Sequence, residues 1–176
     1  MFKIGEYVSY RSEGVCVISD IRTECFNALG TSEEYYILAP IKDMNSTLYV
    51  PVGNKLLTEK MQPLLNASEI CELADALREE RLAWNNESRA RNTELKEILA
   101  GGERNSLVIL VNTLNERMAQ LALEGKKCTA GDENALKRAK KMLFDEFSAT
   151  ADLKDEEELL LLLKGELKCN PKVISK

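Results

Sequence analysis

The stretch Leu48-Tyr49-Val50-Pro51-Val52-Gly53-Asn54-Lys55-Leu56-Leu57-Thr58-Glu59-Lys60-Met61-Gln62-Pro63-Leu64-Leu65-Asn66-Ala67-Ser68-Glu69-Ile70-Cys71-Glu72-Leu73-Ala74-Asp75-Ala76-Leu77 is where the chain changes its period. It begins as a short β-branched and aromatic run, the signature of a strand. It ends with Asn66 and Glu69 as a helix-cap pairing, after which Ile70, Leu73, Ala74 and Leu77 fall on one helical stripe. A strand-rich part and a helical part therefore meet between Pro51 and Asn66.

Upstream, short runs around Tyr7, Val8 and Tyr10, over Val15 to Ile18 and over Tyr35 to Leu38 alternate with Gly, Asn, Asp and Ser. Gly14 suits a turn that needs positive φ, and Asn27 to Ser32 reads as a longer connection. Four or five such strands bury an adequate core only by curling into a barrel or by packing on another layer. Downstream, the spacing predicts a helix from 68 into the low eighties and a second over 88–100, stopped by Gly101-Gly102. A third carries Leu107, Leu110, Val111, Leu114, Met118 and Leu121 as far as Glu124-Gly125, and a fourth opens with Thr129 as N-cap. A fifth spans 153–164, where the acidic run Asp155 to Glu158 suits the positive end of the helix dipole. The expected fold class is α+β: a small β domain over 1–62, a helical bundle over 66–165, and a mobile tail over 166–176.

Composition narrows function. With 176 residues, 44% apolar and 30% charged, the chain is globular in character. Its longest apolar runs, the leucines 159–163 among them, are far short of the roughly 18 to 20 residues that cross a bilayer. The N-terminus lacks the pattern of a secretory signal, and five widely spaced cysteines without a Cys-x-x-Cys pair read as reduced thiols, so a cytoplasmic protein is expected. There is no histidine, which removes Ser-His-Asp and Cys-His hydrolases. Neither common phosphate-cradling glycine motif occurs, and paired carboxylates such as Glu79-Glu80 sit in polar, solvated stretches. No catalytic residue, metal, cofactor or small-molecule substrate is expected.

Charge is uneven. Residues 78–145 carry thirteen Lys/Arg against eleven Asp/Glu, whereas the whole chain has a net charge of −5. Lys137-Arg138-Ala139-Lys140-Lys141 clusters on one helix, and Arg78, Arg81, Arg89 and Arg91 bracket the single tryptophan, Trp84. Two readings stand for both groups: a solvated helix face, or a local contact with an anionic partner. Trp84 also has two. Lying seven residues after Leu77 and fourteen after Ile70, it prolongs the first helix's stripe into a core. Followed by Asn85-Asn86 and flanked by arginines, it can instead stand at a helix end, ready to wedge against a base step.

The opening Phe2-Lys3-Ile4-Gly5-Glu6-Tyr7-Val8-Ser9-Tyr10 with Gly14-Val15, then Tyr49-Val50-Pro51-Val52, Trp84-Asn85-Asn86, Leu95 to Glu103, Thr129 to Glu133 and Arg138 to Leu143 together resemble the CarD/CdnL family of bacterial transcription regulators. The resemblance covers about residues 1 to 150. It implies a Tudor-like or SH3-like β-barrel that binds the β subunit of RNA polymerase, as does the interaction domain of the transcription-repair coupling factor. It also implies a helical domain whose tryptophan, matched by Trp84, wedges into the minor groove at the upstream edge of the promoter bubble. Arg89, Arg91, Arg138, Lys140 and Lys141 match the phosphate-holding basic residues. Arg22, Glu24, Leu48, Tyr49 and Val50 occupy the two strands facing polymerase, with Glu24 and Tyr49 standing where better-known members carry arginines. The function expected is a non-enzymatic regulator that stabilises open promoter complexes; the rival is a protein–protein adaptor that does not bind DNA and keeps Trp84 in its core.

Overall fold

The computed structural model describes residues 1–10, 13–26, 32–43 and 45–172. The chain divides into two compact units, Met1–Leu64 and Leu65–Lys176. Most of the connection read at 27–32 lies outside the described residues.

The first unit is an antiparallel sheet of β1 (Tyr7–Tyr10), β2 (Val15–Glu24), β3 (Glu33–Pro40), β4 (Leu48–Pro51) and β5 (Met61–Pro63), in the order β4-β3-β2-β1-β5, with the single-turn helix α1 (Lys55–Thr58) between the last two strands. Gly14, at φ 75°, makes the β1–β2 turn. The expected barrel is not closed: among the described residues no ladder joins β4 to β5. These edge strands have only four and three residues, and Leu57 of α1 and Phe2 pack against the core from outside the sheet. That core holds Val8, Tyr10, Cys16, Ile18, Tyr36, Leu38, Val50 and Met61.

A bulge in β2 between Ile18 and Asp20 sets which side chains face out. The Ser19 hydroxyl fills the interrupted ladder by donating to the Ile37 carbonyl at 3.0 Å. The extra residue shifts the alternation by one. Ile21 thus packs inward, opposite the buried Tyr36, while Arg22 lies opposite Tyr35 on the outer face.

The second unit contains α2 (Ala67–Ala76), α3 (Ser88–Gly101), α4 (Arg104–Leu123), α5 (Ala130–Phe147) and α6 (Glu156–Leu163). Local signals place their ends. Asn66 and Glu69 form a reciprocal capping box, Gly102 closes α3 at φ 62°, and Thr129 and Asp155 cap α5 and α6. The core gathers Ile70, Leu107, Leu110, Leu114, Leu143, Phe147, Leu159 and Leu162 among others. Buried Arg104 of α4 pairs with buried Glu146 of α5.

Two expectations are corrected here. The first helix of the bundle ends at Ala76 rather than in the low eighties, because the chain beyond is held by α4. Asn112 donates to the Leu77 carbonyl at 3.0 Å, and the Leu82 amide donates to the Thr113 hydroxyl at 2.9 Å. The expected tail is docked as far as Lys172. The Asp152 amide donates to the Asn170 carbonyl, the Lys172 amide donates to the Thr150 carbonyl, and Leu167 and Cys169 pack on the core. Residues 173–176 lie outside the described ones.

Candidate functional site

Trp84 stands on the non-helical segment between α2 and α3. It is half-buried and packs against the helical core, so it is neither a full core residue nor a free ring. Its segment is shaped by polar contacts. Asn85 donates to Glu94 at 3.0 Å and accepts from the Glu87 amide at 2.9 Å, and its carbonyl accepts from Arg91 at 2.7 Å.

Arg91 projects from α3 under the indole, its guanidinium carbon 4.5 Å from the ring centroid. Its Nε and Nη2 donate to the two carboxylate oxygens of Asp132 on α5 at 2.9 and 3.0 Å. Asp132 accepts further from the hydroxyl of Thr129 at 2.8 Å and the thiol of Cys128 at 3.7 Å. Burial, the largest single influence, raises the Asp132 carboxyl, but hydrogen bonds from Arg91 and Thr129 and the Arg91 charge together hold it below the usual carboxylate range. The same partner raises Arg91. A second guanidinium, Arg117 of α4, lies 5.3 Å from the indole centroid. Each cation over the ring contributes about 0.5 to 2 kcal/mol.

The indole lines two clefts. One, about 860 Å³, has an apolar floor of Leu82, Leu95, Ile98 and Leu114. The other, about 250 Å³, is bounded by Arg81, Asn86, Glu116 and Arg117. The ring is therefore reachable from more than one side while its base is fixed.

The remaining basic residues are dispersed. Arg89 is exposed at the start of α3; Arg138 and Lys141 are exposed on α5, where Lys141 lies 3.6 Å from Asp145. Lys140 is half-buried, 3.6 Å from Glu156 of α6. Among the described residues, no hydrogen bond, ion pair or ring contact joins these four to Trp84. Arg91 differs from the phosphate-holding role the resemblance implies: only 7% exposed, with its fork occupied by Asp132, it holds the tryptophan. Arg117 was missed because only the fold brings α4 beneath residue 84.

On the sheet, β4 is an edge strand. Tyr49 points outward, and Phe26, Tyr35 and Tyr49 form edge-to-face pairs with centroids 4.9 to 6.4 Å apart. Arg22 on the same face donates to Glu24 at 2.6 Å. Leu48 and Val50 pack inward, with Val50 only 1% exposed, so they offer an edge through their main chain rather than their side chains. Phe26 and Tyr35 were not singled out from the sequence, since the register that assembles the trio is invisible there.

Among the described residues, no helix is long and apolar enough to cross a membrane, and no group of three or more Cys, Asp or Glu could hold a metal ion. No curated protein matches the chain. Residues 2–64, almost the whole first unit, match the family model of the CarD-like/TRCF RID domain. What the comparison shows is thus a likeness of the sheet unit to the CarD-like/TRCF RID domain.

Proposed function

We propose that this protein binds the β subunit of RNA polymerase through its sheet unit and stabilises the open promoter complex by presenting Trp84 to DNA at the upstream edge of the bubble. The family match over residues 2–64 supports a transcription-related partner of RNA polymerase. The observation that carries the DNA half is the mounting of Trp84: an accessible ring on an irregular segment, braced by one buried arginine and a second cation.

A wedge gains most where bases are already unstacked, since unstacking costs a few kcal/mol per step. Bracing the indole before contact reduces the ordering cost of binding. Arg91 acts as a positioning residue, and Arg89, Arg138, Lys140 and Lys141 supply charge toward phosphates. A chain of net charge −5 needs only a weak DNA patch once polymerase raises the local concentration. Preference for the open state by about 1.4 kcal/mol shifts the equilibrium tenfold. On the polymerase side, the β4 edge offers main-chain pairing, and the Phe26, Tyr35 and Tyr49 rings, with Arg22 and Glu24, supply side-chain selectivity.

Packing of Trp84 against the core favours one second reading, a protein–protein adaptor without DNA contact. Trp84 is the chain's only tryptophan, so its emission decides. With a tryptophan-free partner peptide carrying the polymerase β lobe and a forked promoter fragment, quenching on the fork but not on duplex DNA supports the wedge. Unchanged emission on saturating fork supports the adaptor.

A further inference from the structure

Cys71 of α2 and Cys169 of the docked C-terminal segment lie against each other. The Cys169 amide donates to the Cys71 sulfur at 3.1 Å. They are 98 residues apart and meet because the chain folds back after α6. Gly165, at φ +77°, makes that turn; a Cβ there would collide with the Arg78 guanidinium. The segment is then held to the α5–α6 connection by the Ala151–Pro171 bridge and by Lys172, whose ammonium donates to the Ser148 carbonyl at 2.8 Å. Both cysteines are partly exposed and line a cleft of about 610 Å³ with Asn66, Ser68 and Asp75, so a small solute can reach them. The other thiols are placed differently: Cys16 is buried in the sheet, Cys25 is exposed at its end, and Cys128 donates to Asp132.

The geometry points to Cys71 and Cys169 as a disulfide-forming pair, a modification site that on oxidation clamps the C-terminal segment onto α2. The oxidant is a low-molecular-weight disulfide such as oxidised glutathione. The Cys71 thiolate attacks one of its sulfurs and releases one thiol. The Cys169 sulfur, after losing its proton to solvent, displaces the second thiol and closes the bridge. The protein loses two hydrogens and gains one S–S bond, and the oxidant becomes two thiols. With the Cys71 sulfur already against the Cys169 main chain, rotation of the Cys169 side chain toward it brings the two sulfurs to the bonding distance of about 2.05 Å. Burial, with the Cys71 sulfur beside it, pushes the Cys169 thiol up to about 11, so closure quickens as pH rises.

The test uses the full chain carrying C25S, which removes the exposed thiol, incubated with oxidised glutathione at mildly alkaline pH. Two of the remaining thiols disappear from titration, and the intact mass falls by two hydrogens. Peptide mapping then links the Cys71 and Cys169 peptides. Closing so long a loop raises the melting temperature by about 5 to 15 °C, reversibly with dithiothreitol. Adding C71S or C169S, with folding checked by circular dichroism, abolishes the bridge and the rise. A stable glutathione adduct, a bridge between another pair, or an unchanged thiol count overturns the pairing; a Cys71–Cys169 bridge without a rise in melting temperature overturns the clamp.

Discussion

Arg91 and Asp132, 41 residues apart on α3 and α5, form a buried two-pronged ion pair whose guanidinium also lies 4.5 Å from the centroid of Trp84. One contact thus joins two helices and braces the one tryptophan. A planar fork suits both tasks, matching a carboxylate along its edge while its face meets the indole.

Replacing Asp132 with Asn leaves the Arg91 charge buried without a counter-charge, which costs about 3 to 5 kcal/mol of stability. Arg91→Lys keeps the charge but loses the fork, and is expected to cost about 1 to 3 kcal/mol. Urea unfolding followed by Trp84 emission measures both. Each variant also shifts the folded-state emission to the red as the ring loosens.

Asp132 is held below the usual carboxylate range in the folded chain. Such a group stabilises the fold at every pH above its unfolded value of about 3.9, and the contribution is lost as pH falls through the lower folded value. The stability gap between wild type and D132N is therefore flat between about pH 7 and 5 and narrows below about pH 4. Denaturant midpoints across that range check the sign.

What the sequence made legible was local. The Asn66–Glu69 box, the Gly102 stop and the Thr129 cap act within a few residues, and all three helix ends lie within about one residue of where they were read. The first helix was read too long because the spacing of Ile70, Leu77 and Trp84 continues a stripe that the backbone does not. Asn112 and Thr113, 35 and 31 residues from the groups they hold, take the chain off the helix. The bracing of Trp84 by Arg91 and Arg117 and the docking of residues 166–172 likewise depend on partners that no window of local pattern contains. The open sheet follows from the brevity of β4 and β5, whereas the barrel was an expectation carried by resemblance.

Tyr49 is 40% exposed and, among the rings of the described residues, meets Phe26 and Tyr35, so its loss should fall on binding more than on folding. Tyr49→Ala is expected to weaken polymerase binding about tenfold or more while lowering stability by no more than about 1.5 kcal/mol. Surface-immobilised polymerase and thermal unfolding separate the two.

Arg138 and Lys141 have exposed side chains on α5 and, if they meet phosphates, act without reading sequence. Changing both to Ala is expected to weaken fork binding similarly on different promoters. It should also reduce the salt dependence of binding in the polymerase complex by a slope of about 0.7 to 0.9 per lost phosphate contact. Titrations across a salt series show this; an unchanged slope removes these residues from the interface.

The most direct measurement is the lifetime of open complexes formed by the cognate RNA polymerase on a promoter, without the protein, with wild type, and with a folded Trp84→Ala variant. The account predicts that wild type lengthens the lifetime about tenfold, the effect of about 1.4 kcal/mol of preference for the open state, and that the variant binds polymerase but does not. An unchanged lifetime with wild type at saturating polymerase occupancy, or equal lengthening by the variant, contradicts it.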